Sequence, residues 1–339
     1  MSAAIFQIVP RAPGSREGVG DYARLLATGL ERNHGIKTTF VSATPGGGSW
    51  TLSAVSNEQW RAHPAKAIVL HYVNYGYHAR GLPLSLPRQL RRIRQLCGGR
   101  LITIFHELYA AGSWRQSAFW LQPLQKRIAR ALAEQSGVCI VSSALLAEQL
   151  KQLAPTVRVI VRPVVSTFGE PKLTAEQIAN RDPPRWAICG GTELIQRSLH
   201  SFTGTGELFV VGGADRPEIR HRVAQAHYLP NVETAAASAV LRTCAFGWID
   251  YFERADVPTE AILKSTTFAA YCAHGVVPVL PHAGSRIALD DEALPGPFSL
   301  ENLPPDSARP AIAQSIYEWY GRNASSPRLA ATIAGAIES

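Results

Sequence analysis

Apolar strands that alternate with helices, first in one half of the chain and then in the other, constrain its fold most strongly. The apolar segments lie at residues 4–9, 38–41, 67–72, 101–105, 138–141, 157–161, 186–189, 208–211, 245–249 and 276–280. Most of the segments between them have apolar residues at helical spacing. Strands that are apolar throughout are typical of parallel sheets with helices on both faces. The sequence therefore predicts an α/β chain with two Rossmann-like, doubly wound domains.

A proline-rich stretch separates the two series. It contains Pro163, Pro171, Pro183 and Pro184 and few strongly apolar residues. We predict a first domain at residues 1–164, a linker at 165–184 and a second domain at 185–339, which suits a chain of 339 residues. Because parallel sheets bind ligands at the carboxyl ends of their strands, we expect a site in a cleft between the halves.

The formal net charge is +8, and the basic residues are concentrated in the first half, with two clusters on predicted helices. The residues of these clusters are Arg88, Arg91, Arg92, Arg94, Lys126, Arg127 and Arg130. Three interpretations remain open: a solvated helix face, a nucleic-acid patch, or a surface that docks on anionic lipid. No nucleic-acid recognition motif accompanies the charge, so we expect no nucleic-acid partner.

Neither a membrane span nor a metal or redox site is expected. No apolar run approaches the roughly 20 residues that cross a bilayer, and residues 1–9 carry no basic leader, which favours a cytoplasmic protein. The five cysteines form no C-x-x-C pair, and we expect them to be buried as small apolar residues. A metal or nucleophile motif is likewise missing, so no metal or resident cofactor is expected.

Candidate ligand-binding residues of the first half follow three of its strands. Gly18 and Gly20 stand in a glycine-rich turn before a helix, where backbone N–H groups can approach a phosphate, although Ala23 breaks the strict G-x-G-x-x-G pattern. His106 and Glu107 follow the strand at 101–105, and an imidazole there could donate a hydrogen bond to a sugar hydroxyl. A tight turn and a structural histidine are the alternatives.

A polar and aromatic stretch, residues 71–80, follows another strand of the first half. Its candidate substrate-binding residues are His71, Tyr72, Tyr75 and Arg80. Aromatic rings there could stack on a sugar or an acceptor, or they could pack as an ordinary loop.

The second half offers a candidate diphosphate site. Asp250 and Tyr251 end a strand, and we expect Glu260, Lys264, Ser265 and Thr266 near the start of a helix at 259–274, where hydroxyls, N–H groups and a lysine suit a diphosphate. The remaining candidates follow or flank the turns after two other strands; they are Gly190, Gly191, Gly212 and Arg197. For Lys264 and Arg197, an ordinary solvated position is the alternative.

Several of these segments together resemble the retaining GT-B glycosyltransferases of bacterial cell-surface polysaccharide synthesis, over most of the chain. The matching segments are Gly18-Val-Gly20-Asp-Tyr, Thr103-Ile-Phe-His106-Glu107, Val141-Ser142-Ser143 with its following helix, Val210-Val-Gly212-Gly213, Tyr228-Leu-Pro-Asn-Val, and residues 269–279. The resemblance implies two facing Rossmann-like domains and a UDP- or GDP-sugar donor as substrate.

Two features depart from that family. Its usual E-x7-E glutamate pair is missing, because the two possible registers place Ile262 and Ala270, or Leu263 and Tyr271, at those positions. The usual arginine and lysine are matched only by Arg197 and Lys264, and Glu260 is the candidate for a ribose contact.

The resemblance implies a retaining transfer of a sugar to a carbohydrate or lipid-linked acceptor. Lys264 and Arg197 would then stabilise the leaving diphosphate, and His106 would contact the donor sugar. The basic first half would bring the enzyme to the cytoplasmic face of the inner membrane. Two alternatives stay open: a non-catalytic partner subunit that binds a nucleotide sugar or glycan, and a nucleotide-sugar epimerase, for which we identify no carboxylate pair.

Overall fold

The chain forms two compact units in the computed structural model. The structure describes all residues except 1–3, 12, 14–17, 43, 47–48, 52–55, 63, 111–114, 116, 182–184, 223–224, 253–256 and 283. Unit 1 consists of residues 1–162 together with 326–339, and unit 2 consists of residues 163–325.

The described residues contain the following elements. In chain order the strands are β1 (Ala4–Val9), β2 (Lys37–Ser42), β3 (Thr44–Gly46), β4 (Ser49–Thr51), β5 (Ala67–Tyr72), β6 (Arg100–Phe105), β7 (Val138–Val141), β8 (Val159–Val161), β9 (Arg185–Gly190), β10 (Glu207–Gly212), β11 (His227–Leu229), β12 (Phe246–Trp248), β13 (Val277–Val279), β14 (Ala288–Leu289) and β15 (Glu292–Ala293). The helices are α1 (Gly18–His34), α2 (Asn57–Ala62), α3 (Asn74–Tyr77), α4 (Leu86–Cys97), α5 (Ser117–Gln135), α6 (Ala144–Leu153), α7 (Ala175–Ala179), α8 (Thr192–Ser201), α9 (Pro217–Arg222), α10 (Thr234–Leu241), α11 (Thr266–Ala273), α12 (Arg309–Asn323) and α13 (Ser326–Glu338).

Each unit is built on one parallel sheet, as the apolar strands predict. The sheet of unit 1 has the order β2-β1-β5-β6-β7-β8, and that of unit 2 has the order β11-β10-β9-β12-β13. All the neighbouring pairs within these two sheets are parallel. The central strands β5 and β7 are buried along their whole length, because helices cover both faces. Two short antiparallel hairpins, β3–β4 and β14–β15, lie outside the sheets.

The last helix belongs to unit 1, so the predicted second domain at 185–339 is too long. Helix α13 packs against α1, and its buried face contains Leu329, Ala330 and Ile333. The two helices approach closely at Gly29, where an added Cβ would stand 3.1 Å from the Cβ of Ala330. Arg162 extends the attachment, because its Nε donates to the Thr332 hydroxyl over 3.0 Å. The spacing of apolar residues predicted a helix at 327–338, but it did not predict that this helix packs against α1.

The described part of the predicted linker at 165–184 is an ordered part of unit 2. The backbone N–H of Ser166 donates to the Tyr320 hydroxyl over 2.8 Å, and α7 packs against α12. Buried Arg181 donates to the carbonyls of Cys244, His274 and Gly275, which precede β12 and β13. These bonds satisfy backbone acceptors at the C-terminus of α11, where a cation also complements the helix dipole. The described residues of this stretch are therefore held within unit 2 by hydrogen bonds and are not a free connection.

Unit 2 also departs from the predicted helix at 259–274. Residues Thr259–Lys264 form a 3₁₀ turn, and α11 begins only after Ser265, whose extended backbone and side-chain oxygen cap the helix. Helix α8 was not predicted, since the Gly190-Gly191 pair that precedes it suggested only a turn.

The five cysteines are free and buried, which confirms the expectation that they act as small apolar residues. Over the described residues, none of the helices has both the length and the apolar character that crossing a membrane requires.

Replacing Ile333 with Ala tests the assignment of α13 to unit 1. The side chain is fully buried, so we expect the free energy of unfolding of unit 1 to fall by about 2–5 kcal/mol. Hydrogen exchange followed by mass spectrometry should show faster exchange in α1 and β1 with unchanged exchange in β9, β10 and β12. A matched control is Arg328→Ala, which lies on the same helix and is exposed. Faster exchange confined to unit 2 would contradict the assignment.

Candidate functional site

The carboxyl edge of the unit 1 sheet brings together two of the predicted site residues, His71 and His106. Strands β5 and β6 pair in parallel with His71 beside Ile104, and the His106 N–H donates to the Tyr72 carbonyl over 3.1 Å. His71 is fully buried within β5, whereas His106 follows β6 and is half-buried. The two rings therefore form a path from the sheet interior towards the surface.

A chain of hydrogen bonds runs along this path. His71 Nδ1 lies 3.3 Å from His106 Nε2, and His71 Nε2 lies 2.7 Å from Oε1 of Gln7 on β1. The Gln7 Nε2 in turn reaches the Thr38 hydroxyl at 3.5 Å. We call Gln7, His71 and His106 the polar chain of unit 1. Buried polar groups need such partners, because an unpaired one costs about 1–3 kcal/mol.

The first turns of α1 pack beside the polar chain. Tyr22 is buried, and its ring meets those of His71 and His106 edge-on, with centroids 5.8 and 5.0 Å away. Gly18 starts the helix and is exposed, and an added Cβ there would meet nothing within 4 Å. Gly20, two residues later, is buried. Tyr22, in the second turn of α1, is thus the described residue through which this helix contacts His106. The rest of the predicted glycine-rich turn, residues 14–17, lies outside the described residues.

Both imidazoles of the polar chain are neutral at neutral pH. Burial lowers the pKa of His106 to about 4. Burial also holds the pKa of His71 well below the usual range for histidine, and the neighbouring His106 lowers it further. Neutral imidazole has one N–H donor and one bare acceptor nitrogen, so the hydrogen bonds decide which nitrogen is which.

The structure corrects two of the predicted substrate-binding residues. Tyr72 is fully buried in the core, where its ring packs edge-on against Phe105, so it presents no surface to an acceptor. His71 is buried as well and reaches a ligand only through His106. Both predictions failed because β5 is covered on both faces. Tyr75, Arg80 and Glu107 are exposed, as a contact with substrate requires.

Glycine turns follow β9 and β10 at the carboxyl edge of the unit 2 sheet. Gly190 has φ +132° and Gly212 has φ +97°, values that favour glycine. A Cβ on Gly190 would stand 2.7 Å from Thr267 Oγ1, and one on Gly212 would stand 2.8 Å from the Gly190 carbonyl oxygen. Exposed Gly191 is the N-cap of α8. We call Gly190, Gly191 and Gly212 the glycine edge.

Helix α11 begins against the glycine edge. Thr267 Oγ1 donates to the Cys189 carbonyl over 3.2 Å, which ties the first turn of α11 to the end of β9. Ser265 is buried and its hydroxyl accepts the Phe268 N–H over 3.2 Å. Its role is to cap the helix, which corrects its prediction as a ligand contact. Thr266, the first helical residue, is partly exposed.

The two predicted cations of unit 2 have different roles. Arg197 Nε donates to the Asp250 carbonyl over 2.6 Å, and Nη2 donates to the Tyr251 carbonyl over 2.9 Å. Arg197 therefore anchors the loop after β12, which corrects its prediction as a phosphate partner. Lys264 is exposed on the 3₁₀ turn, two residues before α11, and its side chain has no hydrogen bond or ion pair to another described residue.

A cavity of about 600 Å³ opens beside the loop that Arg197 anchors. Asp250 and Phe252 line it after β12, and His282 lines it after β13. Thr259, at the start of the 3₁₀ turn, is also a lining residue, whereas half-buried Glu260 next to it is not. The volume lies within the range of small-molecule sites, and the mixture of backbone, hydroxyl and aromatic groups suits a nucleoside.

Comparison with known proteins identifies the architecture through solved structures. Neither a family model nor a curated protein matches this sequence. A structure of Anabaena Alr3699/HepE in complex with UDP-glucose aligns with a TM-score of 0.58 at 12% identity, covering 99% of both chains. An α-glucosyltransferase with UDP and a 13-mer DNA containing a HMU base aligns at 0.56 and 10%, covering 100% of both chains. The chain has the GT-B fold.

A third GT-B neighbour is the pneumococcal O-GlcNAc transferase GtfA in complex with UDP and GlcNAc. It aligns with a TM-score of 0.53 at 9% identity, covering 99% of this chain and 96% of that one. Identities this low establish the fold alone. Among the described residues of our GT-B chain, no group of three or more His, Cys, Asp or Glu side chains could hold a metal ion.

Sequence reasoning missed the members of these sites that lie inside strands and helices. Gln7 sits at a fully buried position of β1, and Tyr22 lies on the buried face of α1. A glutamine within an apolar strand was the available signal for Gln7, because a polar side chain there requires a partner. Phe252 follows the predicted strand at 245–249 by three residues, and His282 follows the predicted strand at 276–280 by two. Nothing in their spacing linked them to one cavity.

Alanine at Gly190 tests the backbone geometry of the glycine edge. We expect Gly190→Ala to lower the free energy of unfolding by about 1–3 kcal/mol, because φ +132° strains an L-residue and its Cβ meets Thr267. Gly191→Ala is the matched control, since a Cβ there meets nothing within 4 Å and its φ is −75°. Denaturant unfolding measures both; equal stability of the two variants would exclude the strained turn.

Proposed function

We propose that this chain is a glycosyltransferase, which takes a sugar from a UDP- or GDP-sugar and transfers it to a carbohydrate or lipid-linked acceptor. The proposal includes retention of the anomeric configuration and a role in bacterial surface polysaccharide synthesis. Its support comes from the GT-B fold and from UDP-containing neighbours of the same fold, together with the arrangement at the carboxyl edge of unit 2.

The glycine edge and the start of α11 are the observation that carries the proposal. Helices α8 and α11 both begin there, so their first N–H groups and the positive ends of their dipoles lie at one edge of the sheet. The backbone at Gly190 lies within contact distance of Thr267. Exposed Lys264 adds a full charge two residues before α11. Such an arrangement suits a diphosphate, and we place the diphosphate of the donor there.

The cavity that is lined by residues following β12 and β13 would take the nucleoside. Asp250 and Thr259 offer oxygen atoms for the ribose and base, and Phe252 offers a ring. Glu260 lies beside Thr259 and remains our candidate for a ribose contact. In this arrangement the base and ribose are fixed by unit 2, so the bond between diphosphate and sugar is held in one position.

Breaking that bond leaves charge on the diphosphate while the sugar becomes oxocarbenium-like. Lys264 and the N–H groups of α8 and α11 would stabilise the developing charge, and this is electrostatic catalysis by groups already in place. His106 would contact the donor sugar, and Tyr75, Arg80 and Glu107 would face the acceptor. Arg197 acts indirectly, by holding the loop that lines the cavity.

A second candidate function is a non-catalytic partner subunit that binds a nucleotide sugar or glycan. It is favoured by the residues at the two glutamate registers. Ile262, Leu263, Ala270 and Tyr271 are all buried, and none of them provides a carboxylate. The Tyr271 hydroxyl is committed to the backbone of β9 and β12. Binding of a diphosphate by N–H groups and a lysine needs no such carboxylate. The transferase and the partner subunit would therefore both bind a nucleotide sugar, and only the transferase would turn it over.

Incubation with a panel of UDP- and GDP-sugars separates the candidates. We expect calorimetry to detect binding of at least one donor, and free UDP or GDP to accumulate when cell-envelope extract supplies acceptors. Binding without nucleotide release would favour the partner subunit, and no binding to any donor would refute both functions.

The Lys264→Ala variant assigns the site within that experiment. Loss of a charge-assisted contact to phosphate is worth about 1.5–3 kcal/mol, so the Kd of the donor should rise by about tenfold or more. Lys66→Ala is the matched control, because that exposed lysine stands just before β5, at the opposite edge of its sheet from His71 and His106. Unchanged affinity of the Lys264 variant would remove this lysine from the site.

We also propose that unit 1 docks on an anionic membrane surface, where a lipid-linked acceptor would be found. All the large apolar side chains that are exposed in the described part of the chain lie between residues 75 and 124. They include Trp120, which is 68% exposed, and Leu84, which is 62% exposed. Exposed basic residues of α4 and α5, among them Arg91, Arg92 and Arg127, accompany them. Aromatic groups with a basic helix face suit a lipid surface.

Vesicle sedimentation tests the docking surface. Wild-type protein should bind vesicles that contain phosphatidylglycerol and not vesicles of phosphatidylcholine alone. The Arg91→Gln/Arg92→Gln variant should bind more weakly, by about fivefold for each charge, since a basic residue near the surface contributes about 1 kcal/mol. Arg216→Gln/Arg328→Gln removes the same charge from exposed positions elsewhere. Equal loss in both variants would indicate a general charge effect and refute this surface.

A further inference from the structure

The polar chain of unit 1 contains two residues that the proposed chemistry does not use, Gln7 and His71. Both are fully buried inside strands, and their neighbours along β1 and β5 are apolar. A buried amide and a buried imidazole replace two apolar side chains there, which is costly unless their hydrogen bonds are made. Their bonds lead to one half-buried group, His106.

The distances along the chain determine where each proton lies. Oε1 of Gln7 can only accept, so His71 Nε2, 2.7 Å away, must carry its proton. A neutral His71 then has a bare Nδ1. That nitrogen can only accept, so His106 Nε2, at 3.3 Å, must carry the proton of its ring. His106 Nδ1 is consequently the bare nitrogen of a neutral imidazole.

We propose that Gln7 and His71 are positioning residues, which fix His106 as a hydrogen-bond acceptor for a hydroxyl of the sugar ligand. This inference rests on the proposed function for its ligand, and on the geometry of the polar chain for the proton positions. It also corrects the expectation that His106 donates a hydrogen bond to the sugar, because its only N–H points to His71.

Several observations support the assignment. Within the described residues, the bond to His71 is the only hydrogen bond of the His106 ring. The edge-on packing of Tyr22 against both imidazoles restrains their rotation. Burial keeps the pKa of both histidines below neutral pH, so neither ring carries a second proton that would erase the distinction. Sugar hydroxyls can donate as well as accept, and a bare imidazole nitrogen selects the donating arrangement.

Nitrogen NMR of the imidazoles tests the proton positions directly in the full-length protein. Long-range proton–nitrogen spectra distinguish protonated from bare ring nitrogens. We expect protonated Nε2 and bare Nδ1 in both His71 and His106 at neutral pH. The opposite tautomer in His106 would overturn the proposal, and so would a mixture of tautomers.

The Gln7→Leu variant tests whether the order of the chain depends on Gln7. Without an acceptor next to Nε2, His71 should move its proton to Nδ1 and donate to His106 Nε2. His106 should then carry its proton on Nδ1, which reverses both tautomers. Thr103→Val is the matched control: Thr103 is equally buried on β6 and bonds to the Ser136 hydroxyl, outside the polar chain. Unchanged tautomers in folded Gln7→Leu would refute the dependence.

Ligand analogues test the consequence for recognition. UDP-glucose is compared with analogues in which one sugar hydroxyl at a time is replaced by fluorine, which accepts but does not donate. For wild-type protein and Thr103→Val, one analogue should bind about three- to tenfold more weakly than UDP-glucose. In Gln7→Leu that difference should disappear, while affinity for UDP alone stays unchanged. Should Gln7→Leu not fold, the wild-type spectra and the wild-type analogue series still decide the proposal.

The outcomes separate this inference from the proposed function. Failure of UDP- and GDP-sugars to bind refutes the proposed function and with it the sugar contact, while the spectra still decide the tautomers. Normal binding with equal affinity for every fluorinated analogue leaves the proposed function standing and refutes the acceptor role of His106.

Discussion

The contact between Tyr271 and the two central strands holds the proposed site of unit 2 together. The hydroxyl of this fully buried tyrosine lies 3.0 Å from the carbonyls of Ala187 on β9 and Trp248 on β12. It also accepts the Cys189 N–H over 3.1 Å. Its ring lies over Gly247, where an added Cβ would stand 2.6 Å from the ring carbons. Because Tyr271 belongs to α11, these bonds fix the helix relative to β9, which leads to the glycine edge, and to β12, which leads to the cavity.

Unit 1 uses its interior differently. Where unit 2 ties a tyrosine to backbone groups, unit 1 runs a chain of side chains from β1 to the end of β6. Such a chain gives little net stability, because each bond replaces one to water. The chain does fix the proton positions. Once one nitrogen of a neutral imidazole has its partner, the other nitrogen can act only as the opposite type, donor or acceptor. In the proposed role of His106, the interior of unit 1 would therefore contribute to recognition without touching the ligand.

The sequence predicted the architecture well, since both parallel sheets follow from continuous apolar strands and their spacing. It predicted individual residues less well wherever tertiary contacts decide their role. Tyr72 has the aromatic and polar neighbours of a surface loop, yet β5 ends inside the core. Arg197 has the charge of a phosphate ligand, yet only the folded loop shows which carbonyls it meets. Likewise, the helical spacing at 327–338 does not show which unit the helix packs against. The small residues Gly29 and Ala330, which allow α1 and α13 to approach closely, are far apart in sequence.

The missing glutamate pair and the buried Tyr271 are related, because this tyrosine occupies one of the two glutamate positions. In one register Tyr271 stands where the resembled family has its second glutamate, and here it points into the sheet and not towards a ligand. A carboxylate at that place would be buried among backbone carbonyls and would have to be protonated or paired, at a cost of several kcal/mol. The tyrosine avoids this cost and strengthens the join between β9, β12 and α11. The proposed donor site would then depend on N–H groups, hydroxyls and Lys264. A diphosphate carries enough negative charge to bind such a site without carboxylate help, whereas a ribose loses one of its usual partners. In the proposed transfer, this departure from the resembled family would therefore affect recognition of the ribose more than stabilisation of the leaving group.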